Sequence, residues 1–220
     1  LYIDLLGGLA DGKVRHDYPL GEERERVAHA LDLTAGGKQV AIISSGDAGI
    51  YAMGSLVYEM IDTAGNEAWR RLLVEMVPGI SALQAAAART GAPLGHDFCT
   101  ISLSDLMTPW EAIERRIKAV AEGDFVIAFY NPVSMRRRVQ FGQACAILRE
   151  HRAPETPVII ARNLGREEEK ITVVELSALE TDMIDMLTVV VVGSSETRII
   201  PGAGGPDRVY TPRGYGDKKQ

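Results

Sequence analysis

The sequence of 220 residues contains only two cysteines, Cys99 and Cys145, far apart and in no CxxC pair. A disulfide framework and a clustered zinc site are thereby disfavoured, and buried, inert thiols are expected. The histidines His16, His29, His96 and His151 share no ligand spacing, so no metal is expected. No apolar run approaches the roughly 20 residues of a membrane span, and no charged-then-apolar signal segment opens the chain, which reads as cytoplasmic with no membrane partner. Positive charge is in deficit: 24 Lys and Arg against 30 Asp and Glu give a net charge of −6, and aromatics make up only 6%. Nucleic acid calls for a broad basic face interleaved with aromatics, so no nucleic-acid partner is expected, although a local arginine pocket remains open. The sequence also lacks G-x-G-x-x-G, G-x-x-x-x-G-K-[ST], G-x-S-x-G and H-E-x-x-H. Dinucleotide, P-loop, hydrolase and metalloprotease readings therefore have no anchor.

What is present is a regular alternation of short apolar runs and amphipathic segments. Helices are expected over 22–33, from Ile50 to Ile61, over 81–90, after Thr108 and Pro109, from Ser134 to about Arg149, and around 177–185. Strands are expected over 39–44, 72–77, 98–105, 124–130, 157–161, 170–176 and 187–193, and the buried apolar ones read as parallel. The pattern changes near His96 and Asp97, which predicts two α/β domains packed side by side, 1–97 and 98–220. The chain opens at Leu1 without methionine and without a leading strand, so a first strand is expected to precede it.

Five of the predicted strands end in turn or small polar residues: SSGD at 44–47, PGISA at 78–82, YNP at 130–132, ARNLGR at 161–166 and VGSSETR at 192–198. Gathered round one crevice, such ends would offer backbone donors and acceptors with little bulk, which suits a polar, flexible ligand. Ser44, Ser45, Gly46 and Gly49 fit that use. The alternative is purely local: Asp47 and Ser81 cap helices, and Asn131 starts a turn.

These loops carry a resemblance over nearly the whole chain. SSGDAG, VPGISA and FYNP, in that order and separation, resemble the tetrapyrrole methylase superfamily, whose members use S-adenosylmethionine on the macrocycles of the sirohaem and cobalamin pathways. YNPVSMRRR at 130–138 and TPRGY at 211–215 resemble the branch that methylates precorrin-3B at carbon 17 with ring contraction to precorrin-4. Two departures stand out: Ala48 replaces the usual proline after Gly-Asp, and the family's G-x-G-P-G loop does not occur in this sequence.

The resemblance implies two αβα domains with a cofactor cleft between them. It places S-adenosylmethionine, or its product S-adenosylhomocysteine, against Ser45, Gly46, Asp47, Ile50, Ser81, Ala82, Tyr130, Asn131 and Gly165. It also implies a small-molecule tetrapyrrole substrate and a homodimer. The substrate's acetates and propionates call for arginine forks, and Arg136, Arg137, Arg138, Arg198 and Arg213 are the candidates. Methyl transfer needs alignment rather than a base, whereas ring contraction needs proton movements. Asp47, Ser104 and Asp105 are the catalytic candidates. Another tetrapyrrole methyltransferase, a non-catalytic tetrapyrrole-binding module and a nucleic-acid methyltransferase are the competing readings.

Overall fold

The computed structural model describes residues 3–215, which divide by their internal contacts into two compact units, Leu1–Ser81 and Ala82–Gln220. This division falls ahead of the boundary expected at 97/98. Helix α4 (Ala82–Thr90) sends Leu83 and Ala86 onto the second unit's sheet, and the short strand β1 (Gly91–Ala92) pairs with a C-terminal strand.

In the first unit, α1 (Glu23–Ala35), α2 (Gly54–Thr63) and the short α3 (Glu67–Arg70) enclose a small core of Val27, Leu31, Val57, Met60 and Trp69. Asn66 caps α3 by accepting from the N–H groups of Ala68 and Trp69, and the Trp69 indole donates to Asp32 at 2.9 Å. The runs expected as strands at 39–44 and 72–77 join no sheet among the described residues. They alternate all the same: Ile42, Leu72 and Val74 pack against the helical core, while Leu73 and Val77 face outward. Side-chain alternation gives an extended chain, but a strand also needs ladder hydrogen bonds from a neighbour.

The second unit is a five-stranded sheet covered on both faces. Its strands are β2 (Phe98–Ser102), β3 (Val126–Tyr130), β4 (Pro157–Arg162), β5 (Lys170–Glu175) and β6 (Thr188–Val192), in the order β2-β3-β6-β4-β5. Side chains part by the strand period of two. Ile127, Phe129, Val158, Ile160, Val190 and Val192 meet α5 (Trp110–Glu122) and α6 (Val139–His151) through Ile113, Ile117, Phe141 and Leu148. Val126, Ala128, Ile159, Ala161, Val189 and Val191 meet α4 on the other face. A second, three-stranded sheet joins β1 to β7 (Arg198–Ile200) and β8 (Arg208–Tyr210) in the order β1-β8-β7.

The expected parallel arrangement needs correction. Only β2 and β3 pair in parallel in the larger sheet, whereas β6 pairs antiparallel with both β3 and β4, and β5 pairs antiparallel with β4. The apolar runs read as parallel because both faces of the sheet are covered, and double burial follows from the layers rather than from strand direction. The helix expected from Ser134 begins at Val139: residues 134–137 close a tight turn in which Ser134 and Arg137 exchange backbone N–H to O bonds. The segment 177–185 forms two 3-10 turns, Leu176–Ala178 and Thr181–Met183. No helix among the described residues is long and apolar enough to cross a membrane.

Candidate active site

The first unit brings two of the singled-out loops together. Gly46 adopts φ +74, the left-handed conformation that favours glycine, and turns the chain between Ser45 and Asp47. A Cβ placed on Gly79 would lie 2.1 Å from the Gly46 carbonyl oxygen, so the SSGDAG and PGIS turns meet backbone to backbone, with room for glycine alone. Asp47 spans the same contact: Oδ1 accepts from Gly49 N at 2.7 Å and Oδ2 from Gly79 N at 3.0 Å. These two N–H groups, Gly79 foremost, hold its carboxyl below the ordinary aspartate range. Ser45, Gly46 and Gly49 are exposed, Ile50 is half-buried and Ser81 is buried. The surface these turns present is therefore mostly backbone and small side chains. Asp47 lies well before α2, whose cap position is Met53, so it caps an Asx-type turn rather than that helix.

In the second unit, strand direction decides which predicted loops share an end. The carboxyl ends of β2, β3 and β4 lie at one edge of the sheet, because β4 is antiparallel to β6 and β6 antiparallel to β3. Tyr130 and Asn131 therefore sit on the same edge as Ser104, Asp105 and the turn carrying Gly165. The Tyr130 hydroxyl accepts from Leu83 N at 3.0 Å in the first turn of α4, one residue after Ala82. Asn131, at φ +48, donates from Nδ2 to Ser102 Oγ, which also accepts from Ser104 N. Gly165, at φ +73, has open space where a side chain would stand.

The arginines separate into distinct roles. Arg137 is buried; its guanidinium donates to the Leu103 carbonyl at 2.7 Å and lies 3.6 Å from Asp105, which also accepts from Gln140 at 2.7 Å. Burial lowers its pKa, with the Asp105 charge opposing that shift. Arg137 thus braces the 102–105 loop against the 132–137 turn, and its fork is spent inside the protein. Arg138 takes the cap position of α6 and donates to the Thr181 carbonyl at 2.9 Å. Arg136 is exposed, with no hydrogen bond or ion pair among the described residues.

Arg198 and Arg213 do not join this edge. The loop 193–198 leaves the carboxyl end of antiparallel β6, beside the start of β4, where Gly193 N bonds the Pro157 carbonyl and Ser195 bonds Asp124. Arg198 there is committed to the Ser195 and Thr197 carbonyls and to Glu196. Arg213 follows Thr211, whose hydroxyl bonds the Pro93 carbonyl and Thr197 Oγ1. Thr211, whose N–H bonds the Ala92 carbonyl, thereby anchors the start of TPRGY beside the small sheet, just past β8. Burial raises Cys99 to about 11 and Cys145 to about 12, as expected of inert thiols. No group of three or more potential metal-ligating side chains occurs among the described residues.

Residues 10–180 match the family described as Tetrapyrrole (Corrin/Porphyrin) Methylases. The chain is 45% identical over 219 residues to the "Precorrin-3B C(17)-methyltransferase" of a Sinorhizobium species, covering 100% of this chain and 85% of that protein. It is 44% identical over 214 residues to the "Cobalt-factor III methyltransferase" of Priestia megaterium, covering 97% of this chain but only 39% of that longer protein. Its structure matches the "Crystal structure of the methyltransferase CobJ" with a TM-score of 0.85 at 44% identity, over 92% of this chain and 82% of that one. The mixed α/β fold, the motif-bearing turns and these likenesses together make the chain a member of the tetrapyrrole methylase family.

Proposed function

We propose that this chain is an S-adenosylmethionine-dependent methyltransferase of cobalamin biosynthesis that methylates precorrin-3B at carbon 17, with contraction of the macrocycle to precorrin-4. The observation that carries this reading is the 45% identity running the whole length of the chain to a protein of that name. S-adenosylmethionine would supply an electrophilic methyl group on a sulfonium. In the first unit Ser45, Gly46, Ile50 and Ser81 form the cofactor-binding set, and in the second unit Ala82, Tyr130, Asn131 and Gly165 do.

The protein's own work is alignment and exclusion of water, which can account for many orders of magnitude in an in-line displacement. Arg136, with Arg138 beside it, meets the substrate's carboxylates, and Arg137 holds their turn in place. Ser104 and Asp105, on the edge that also carries Tyr130, are the groups we assign to proton movement during ring contraction. A homodimer and a cytoplasmic location are part of the same proposal.

A second reading has nearly equal support: the cobalt-bearing macrocycle, cobalt-factor III, named for a relative 44% identical over 97% of the chain. Calorimetric titration of S-adenosylhomocysteine into the protein is the first test, with saturable one-site binding expected. Incubation with S-adenosylmethionine and each macrocycle in turn, followed by mass and absorption, then identifies the substrate. Absence of S-adenosylhomocysteine binding by well-folded protein would sink both readings and leave a tetrapyrrole-binding module.

A further inference from the structure

We propose that Asp47 is a positioning residue whose carboxylate clamps the SSGDAG turn to the PGIS turn, and that it neither touches the cofactor nor carries a proton in the reaction. The proposal deepens the methyltransferase reading and rests on it for the ligand. The clamp itself stands on geometry alone.

Both carboxylate oxygens are engaged within the first unit. One closes a local turn through Gly49 N, and the other reaches Gly79 N, 32 residues along the chain. Charge-assisted bonds of this kind are about twice as strong as neutral ones. The turn it grips is already internally set, since Ile50 N bonds the Asp47 carbonyl at 3.2 Å and Gly54 N bonds the Ala48 carbonyl at 2.9 Å. No sheet ladder ties the segments leading into the two turns among the described residues, so a side chain supplies a tie that a parallel sheet would otherwise give. Gly79 is as much a part of the device as the acid, because any Cβ there would strike the Gly46 carbonyl. A carboxylate held ionised by two N–H donors is a poor base near neutrality. What it controls is the relative placement of the Gly46 and Ser81 backbones, where a Cβ on Gly46 would stand 3.6 Å from Ser81 Cα.

The test compares Asp47→Asn, Asp47→Ala and Gly79→Ala with the natural protein. Three quantities are read: amide hydrogen exchange at Gly49 and Gly79, affinity for S-adenosylhomocysteine, and the pH dependence of methyl transfer. Asp47→Asn keeps one acceptor and turns an NH2 toward the other N–H, so one of the two amides should exchange faster. Asp47→Ala should release both. Affinity for S-adenosylhomocysteine should fall by about tenfold in Asp47→Ala and less in Asp47→Asn. Gly79→Ala should reproduce the loss with the carboxylate intact. The defect should fall on KM, and the pH–rate profile should keep its shape.

Unchanged exchange at both amides in Asp47→Ala would overturn the clamp. So would intact affinity with a collapsed kcat and a missing acid limb in the profile, which would make Asp47 a base. Lost protection in a protein that never binds S-adenosylhomocysteine would retain the clamp and defeat the methyltransferase reading instead.

Discussion

At the scale of single residues, the arginine triplet shows how one sequence run supplies unlike functions. Arg137 hands its guanidinium to the Leu103 and Pro132 carbonyls and to Asp105, whereas Arg136 next to it faces solvent. Replacing Arg137 with alanine strands buried carbonyls and the Asp105 charge together, and should destabilise the protein by about 2–3 kcal/mol in urea unfolding. Arg136→Ala should move stability by less than about 0.5 kcal/mol and weaken macrocycle binding instead. Equal stability losses in the two variants would refute this division of roles. The sequence offered all three arginines as equals, because a run of like residues gives no sign of which one the backbone turns inward. The tight turn at 134–137 makes that choice.

At the scale of elements, the larger sheet makes sense of both the correct and the mistaken expectations. Runs such as DFVIAFY and LTVVVVG were legible because a strand buried on both faces has to be apolar throughout. Strand direction was not, since an apolar run reads the same either way. The short link joining β4 to β5 gives an antiparallel pair, and β6, inserted antiparallel between β3 and β4, turns the 193–198 loop, with Arg198, to the opposite edge from Tyr130. The hairpin β7–β8 was hidden in a tail rich in glycine and proline, where three-residue strands leave almost no periodic signal. Strand order predicts a gradient of protection: amides of the central β6, with those of β3 and β4 beside it, should exchange most slowly. The edge strand β5, half-buried over most of its length, should exchange well before them. Comparable protection of β5 and β6 would contradict this order.

At the scale of the whole molecule, the two units differ in how much they bury. Five buried apolar residues make the core of the first unit, against twenty and nine in the two cores flanking the larger sheet. Leu73, Val77 and Ile80 of the first unit are 94%, 72% and 73% exposed, which adds nothing to its burial. Stability follows buried apolar area, so the first unit should open at lower denaturant than the second, and a single two-state transition should fail to describe the chain. The protein contains its own reporters, since its two tryptophans, Trp69 and Trp110, lie one in each unit. In Trp110→Phe, the fluorescence of Trp69 should change at a lower urea concentration than the far-UV circular dichroism. Coincident midpoints would show one cooperative body.

The sequence by itself determined the alternation of helices and strands, the identity of the motif-bearing turns and the family to which they belong. These rest on local periodicity, on turn-forming residues and on spacing along the chain, all of which survive without knowledge of neighbours. Tertiary structure alone decided strand direction, the edge on which each loop emerges, and which polar side chains are spent inside the protein. Asp47, Arg137 and Arg198 look alike as candidates in the sequence because a donor or acceptor is available for a ligand only if the fold has not already filled it. That depends on groups such as Gly79 N, the Leu103 carbonyl and the Ser195 carbonyl, whose approach is set by packing.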